Sequence, residues 1–110
     1  MEVSSPFGSR TRTRVLISLR LLEQSYAREL SRFLRLPVSV VQKGIRSLER
    51  DDLIAGRLAG KTRLLQLNPA YFAAAEVQAL VNKLIEADTD LRSRATQLRK
   101  RSRRRRRGAS

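Results

Sequence analysis

The chain contains no cysteine, no histidine and no tryptophan. Without thiolate or imidazole the usual zinc, iron–sulfur and copper sites have no ligands, Cys- and His-based catalysis is excluded, and no disulfide can staple the fold. No cofactor or metal is expected, and stability has to come from an ordinary hydrophobic core. Long apolar runs are missing as well: stretches such as Val15 to Leu19 are cut short by charge, so nothing spans a bilayer, and Met1 to Arg10 lacks the apolar centre of a signal peptide. The expected location is the cytoplasm. Acidic residues are scarce too, with 10 Asp+Glu against 24 Lys+Arg and a formal charge of +14 in 110 residues. That length allows one small domain with appendages.

The basic residues are unevenly spread. Residues 92–107 hold Arg92, Arg94, Arg99, Lys100, Arg101 and the run Arg103, Arg104, Arg105, Arg106, Arg107 with no acid among them, so the tail accounts for +10 and the body for +4. A tail of this kind repels itself and is expected to stay disordered from about Arg99 until it meets a polyanion. Arginine outnumbers lysine 20 to 4, which fits a GC-rich genome as well as an affinity for phosphate.

Residues 1–8 read as a flexible leader, residues 9–88 as one folded unit, and residues 89–110 as a basic helical extension with a disordered tail. Ser9 can cap a first helix that runs to about Leu22. At ~100° per residue Val15, Leu19 and Leu22 share one face while Ile17 and Leu21 lie nearly opposite. A helix with two apolar faces needs two partners, and a subunit contact is expected for the Ile17 and Leu21 face. A short second helix spans about Ala27 to Leu34 and stops before Leu36-Pro37, because the residue ahead of a proline is pushed out of the α region. A third helix runs from about Val38 to Arg50. Val41, Ile45 and Leu48 form its apolar stripe, and Ser39, Gln42, Lys43, Arg46 and Arg50 cluster on the reverse, polar and basic face. Gly44 inside this helix should cost about 1 kcal/mol relative to Ala.

Two strand-like segments follow, Leu53 to Leu58 and Arg63 to Leu67, joined through Gly60 as a hairpin with Arg57, Lys61 and Arg63 at or beside its tip. A last helix begins near Pro69 or Ala70. Val77, Leu80, Val81 and Leu84 form its stripe, and Val77, Leu84, Leu91 and Leu98 recur every seven residues. Asp88 interrupts the seam, so packing is expected up to about Leu84 and fraying after it. With Ile17 and Leu21, the stripe Val77, Leu80, Val81 and Leu84 is the expected contact of a homodimer.

Helix, helix, tight turn, helix, hairpin and helix is the order of a winged helix-turn-helix, a mainly α fold with a small β-hairpin. Several segments carry a family resemblance: Gly8-Ser9-Arg10-Thr11-Arg12, Tyr26-Ala27-Arg28-Glu29-Leu30, Val41 to Leu48 with Leu53-Ile54, and Gly60-Lys61-Thr62-Arg63 to Leu67-Asn68-Pro69. Together, over about Phe7 to Leu84, they resemble the ArsR-type winged helix-turn-helix regulators. Arg35 stands where such turns often have Gly, Pro37 where Ser or Thr often caps the recognition helix, and Asp52 where Gly usually precedes Leu53. The thiolate metal site of metal-sensing members has no counterpart, and no effector is legible.

The function expected on these grounds is that of a sequence-specific double-stranded DNA-binding transcriptional regulator. Ser39, Gln42, Lys43, Arg46 and Arg50 would enter the major groove, and Arg57, Lys61 and Arg63 would meet backbone or minor groove. The rival expectation is a nonspecific polyanion binder driven by the tail through counterion release. An enzyme is not expected. Asp51-Asp52 is the only adjacent acid pair and sits at a helix end, Glu86, Asp88 and Asp90 read as partners for nearby Arg, and no phosphate loop or nucleophile elbow is present.

Overall fold

The computed structural model describes the backbone of residues 6–108 and the side chains of residues 6–101. Its elements are α1 (Arg10–Leu22), α2 (Ala27–Leu34), α3 (Val38–Arg50), β1 (Ile54–Ala59), β2 (Thr62–Leu67), α4 (Ala74–Ala87) and α5 (Thr89–Gly108). The expected leader falls mostly on residues 1–5, which lie outside the described residues. Phe7, by contrast, packs against the core.

Each early boundary has a local cause. The Ser9 hydroxyl accepts from the Arg12 N–H at 3.1 Å and so caps α1. Helix α2 closes with Arg35 in the left-handed region (φ 56°), the Arg35 N–H donating to the Arg32 carbonyl and the Leu36 N–H to the Ser31 carbonyl. Helix α3 closes in the same way. Asp52 has φ 61°, its N–H donates to Glu49, and the Leu53 N–H donates to Leu48. Both are Schellman endings, which explains why the positions of Arg35 and Asp52 elsewhere favour glycine. Pro37 sits at the start of α3, where its carbonyl accepts from Val40 and Val41.

The core is one aliphatic cluster. Val15, Leu16, Leu19, Leu30, Leu34, Val41, Leu48, Val81 and Leu91 are almost wholly buried, and Ile54 and Leu65 join it from the hairpin. Helix α1 is the central post. It packs against α2, α3, α4, α5 and β2. Ile17 is 2% exposed within the single chain and Leu21 is half-buried, so the chain itself covers most of the second apolar face of α1, which was the expected subunit contact. Val81 and Leu84 are likewise buried in the chain's own core and Val77 is half-buried, leaving Leu80 alone of that expected dimer stripe as an exposed residue.

Part of the cover for α1 comes from a helix that the seven-residue spacing disguised. Asp88 (φ −111°, ψ 77°) ends α4, and its Oδ1 accepts from the Leu91 N–H at 3.1 Å, so the residue that interrupts the seam caps a new helix. Leu91 and Ala95 are buried and Leu98 is half-buried, together forming the stripe by which α5 lies on α1. Fraying after Leu84 and disorder from Arg99 are thus corrected: α5 is helical to Gly108. Once the buried turns are anchored, each added residue closes one more backbone bond, and arginine is among the better helix formers. The side chains of Arg103 to Arg107 lie outside the described residues. No helix among the described residues is long and apolar enough to cross a membrane.

Candidate nucleic-acid interface

Helix α3 presents the expected surface. Val41, Gly44, Ile45 and Leu48 face the core, and Ser39, Gln42, Lys43, Arg46 and Arg50 are all exposed on the other side. The helix is tied down at its C-terminal end. Arg12, from α1, donates through Nη1 to the Ser47 hydroxyl at 2.5 Å and through Nη2 to Asp51 Oδ2 at 2.7 Å, while its Nε donates to the Phe7 carbonyl at 2.5 Å. With the Arg12 side chain only 16% exposed, this is a mostly buried clamp between α1 and the end of α3. The sequence carried no signal for it, since its partners lie 35 and 39 residues away. Gly44 has a second structural reason: a Cβ there would stand 3.1 Å from Thr11 Cγ2, so its absence lets α1 and α3 approach closely.

The hairpin pairs antiparallel from Ile54↔Leu67 to Ala59↔Thr62, leaving Gly60 and Lys61 as a two-residue turn. Gly60 has φ 65°, as the first position of a type II′ turn requires. Residues Ser25 and Leu65 exchange both backbone hydrogen bonds, at 3.1 and 2.7 Å, which ties β2 to the loop ahead of α2. Asn68 closes the base of the wing by donating from Nδ2 to the Asp52 carbonyl at 2.9 Å.

The three cations of the wing do not form one patch. In the observed register Leu58 pairs with Arg63 and Arg57 with Leu64, so Arg57 and Arg63 point to opposite faces. Arg63 engages Glu49 of α3, Nη1 to Oε1 at 2.8 Å and Nη2 to Oε2. Gly56 makes room for it, because a Cβ at that position would meet Arg63 Nε at 2.8 Å. Arg57 leans toward Gln24, with Nη2 to Oε1 at 3.4 Å, and Lys61 is exposed at the turn. Of the three wing cations, Arg63 is thus the one paired with an acid of α3, Glu49.

Two tail cations are also engaged by the body. Arg94 donates to the Phe33 carbonyl at 2.7 Å and pairs with Asp90 at 2.7 Å, and Arg99 donates to the Leu21 carbonyl, so each cation sits at the C-terminal end of a helix where the carbonyl dipoles favour it. Arg14, half-buried on α1, has its pKa lowered, first by burial and then by Arg10, with Asp88 opposing. Between α2 and α5 lies a cleft of about 330 Å³ lined by Tyr26, Arg32, Phe33, Arg35, Arg94 and Arg101, among others. It was not legible in the sequence, because Phe33 and Arg94, one on each side of it, are 61 residues apart.

No protein-family model matches the sequence, and no curated protein matches it either. Solved structures do. The adhesin competence repressor AdcR of Streptococcus pyogenes superposes with a TM-score of 0.59 at 18% identity, over 81% of this chain and 66% of that one. The fold is a winged helix-turn-helix. ZitR of Lactococcus lactis, as a cysteine-to-serine mutant in complex with DNA, gives 0.58 at 18% identity, covering 83% of this chain and 64% of ZitR. Reduced HlyU of Vibrio cholerae gives 0.54 at 28% identity, over 68% of this chain and 75% of HlyU. About a third of AdcR and of ZitR therefore has no counterpart in the aligned region.

Proposed function

We propose that the chain is a sequence-specific double-stranded DNA-binding transcriptional regulator of the ArsR-type winged helix class, not an enzyme. The observation that carries this reading is the exposed polar and basic face of α3, held at one end by Arg12 and beside the wing by the Arg63–Glu49 pair. Such a helix fits the major groove. Arg46 and Gln42, near the middle of the face, have the donors and acceptors to read guanine and adenine edges, while Ser39, Lys43 and Arg50 flank them. In the wing, Lys61 and Arg57 are left for backbone or minor groove, with Arg63 as a positioning residue that fixes the wing against α3. Arg28, exposed near the start of α2, is a further phosphate contact of the kind made where the first helix crosses the backbone. The DNA complex of ZitR supports this reading by analogy of fold. A homodimer on a pseudo-palindromic site, acting in the cytoplasm at the nucleoid, belongs to the same proposal.

The exposed Lys100 and Arg101, continuing into the arginine run, favour a second contribution, sequence-independent contact with phosphate. The deciding experiment selects bound fragments from the source genome and compares the selected site with random duplex at moderate salt. A regulator prefers its site by roughly a thousandfold or more. A ratio near one would leave only the polyanion-binding tail.

A further inference from the structure

The first turn of α3 differs from the rest of its exposed face. Pro37 (φ −56°, ψ 141°) starts the helix, and Val38, Ser39 and Val40 are its first three residues, ahead of Gln42, Lys43 and Arg46. Val38 is 39% exposed and Val40 40%, so each keeps apolar surface in water, and neither joins the core cluster. At ~100° per residue they lie on either side of Ser39, which is exposed and in line with Arg46 at the centre of the polar face. Val38 is the one on the wing side, because it lies within about 20° of Glu49, the partner of Arg63. Branching at Cβ leaves valine essentially one χ1 rotamer in a helix, so its two methyl groups are held in place before anything binds. They can form no hydrogen bond, and a selective contact has to be with an apolar group.

The major groove offers one such group, the C5 methyl of thymine. Across a base pair the groove edge runs from the purine N7 to the pyrimidine C5, which puts the methyl beside its own strand and away from the centre of the groove floor. Side chains on the flanks of an inserted helix meet that outer edge, while those at the centre of its face meet the hydrogen-bonding groups. The N-terminal residues of a recognition helix are the ones that contact base edges. We propose that Val38 and Val40 read thymine methyl groups, one on each flank of the first turn, so that each preferred half-site carries two thymines at this end of α3. The inference rests on the DNA-binding reading above and adds to it an apolar contribution to specificity that the polar and basic face does not supply.

Single deoxyuridine substitutions in the selected duplex test this on the full chain, because uracil keeps the pairing and the O4 acceptor of thymine and lacks only the methyl. Binding should weaken about three- to fourfold at two thymines of each half-site, the transfer value of one methyl group. Val38→Ala and Val40→Ala should each weaken binding to the thymine duplex by a similar or larger factor. Each variant should then be indifferent to uracil at one of the two positions and remain sensitive at the other. 5-Methylcytosine supplies the same methyl on another base. With cytosine placed at such a position, methylation should tighten binding of the wild type by the same factor and leave the matching alanine variant unaffected. Alanine is a better helix former than valine, so α3 should be retained, as circular dichroism would show. A half-site without thymine at this end of α3, or a wild type that tolerates uracil at every position, overturns the proposal and leaves the DNA-binding reading standing. So does a uracil effect that persists unchanged in both alanine variants. A chain with no preferred site at all overturns both.

Discussion

Arg63 in β2 donates through both terminal nitrogens to the two carboxylate oxygens of Glu49 in α3, crossing Gly56 to reach it. The pair is bidentate but its arginine is 53% exposed, so its contribution to stability is about 0.5–1 kcal/mol. Its larger effect is geometric, joining the wing to α3. Gly56→Ala should push the guanidinium off Glu49, lowering DNA affinity, and that loss should shrink toward zero in an Arg63→Ala background. A double-mutant cycle on duplex binding checks this. Equal effects of G56A with and without Arg63 would show that the glycine serves the strand alone.

Arg46 should carry discrimination. Its replacement by Ala is expected to cost about 1–3 kcal/mol on the preferred duplex and to relax preference at one base position. Binding-site selection with the variant reads this out. A uniform loss across sequences would make Arg46 a phosphate contact.

Gly44 sets two effects against each other. Alanine should gain about 1 kcal/mol of helix propensity, but its Cβ would stand 3.1 Å from Thr11 Cγ2. Gly44→Ala should therefore stabilise by clearly less than that, and the full gain should return when Thr11→Ser removes the methyl. Urea denaturation of wild type, the two single variants and the double variant measures the coupling, and strict additivity would rule out the contact.

Removing Ser102–Ser110 takes away five arginines and spares Arg94 and Arg99, whose bonds to the carbonyls of Phe33 and Leu21 hold α5 in place. Affinity for specific and random duplexes should fall by similar factors. At ~0.9 per phosphate contact, the log–log salt slope should flatten by up to about 4.5. Loss of site preference would make the tail the reader.

Much of the architecture was legible because it rests on local pattern. The 3.6-residue stripe of Val41, Ile45 and Leu48 left the opposite face of α3 as a polar and basic surface, and Leu36-Pro37, Gly60 and Asn68-Pro69 marked the turns. The absence of Cys and His was legible too, and it excludes thiolate and imidazole chemistry by residue type alone. The tertiary structure decided which apolar faces meet. The heptad from Val77 to Leu98 reads as one helix, yet Asp88 divides it, because a carboxylate can satisfy the orphan N–H of Leu91 and start a second helix. That second helix packs on α1 beside α4, and Ile17, which looked free for a subunit contact, is buried within the chain. Charge followed the same rule. A count of arginines treats Arg12, Arg63 and Arg94 alike as candidates for phosphate, but each is committed to a partner 14 or more residues distant, Ser47 and Asp51, Glu49 and the Phe33 carbonyl. Burial and pairing depend on distances in space, which a period of 3.6 or a net charge does not contain.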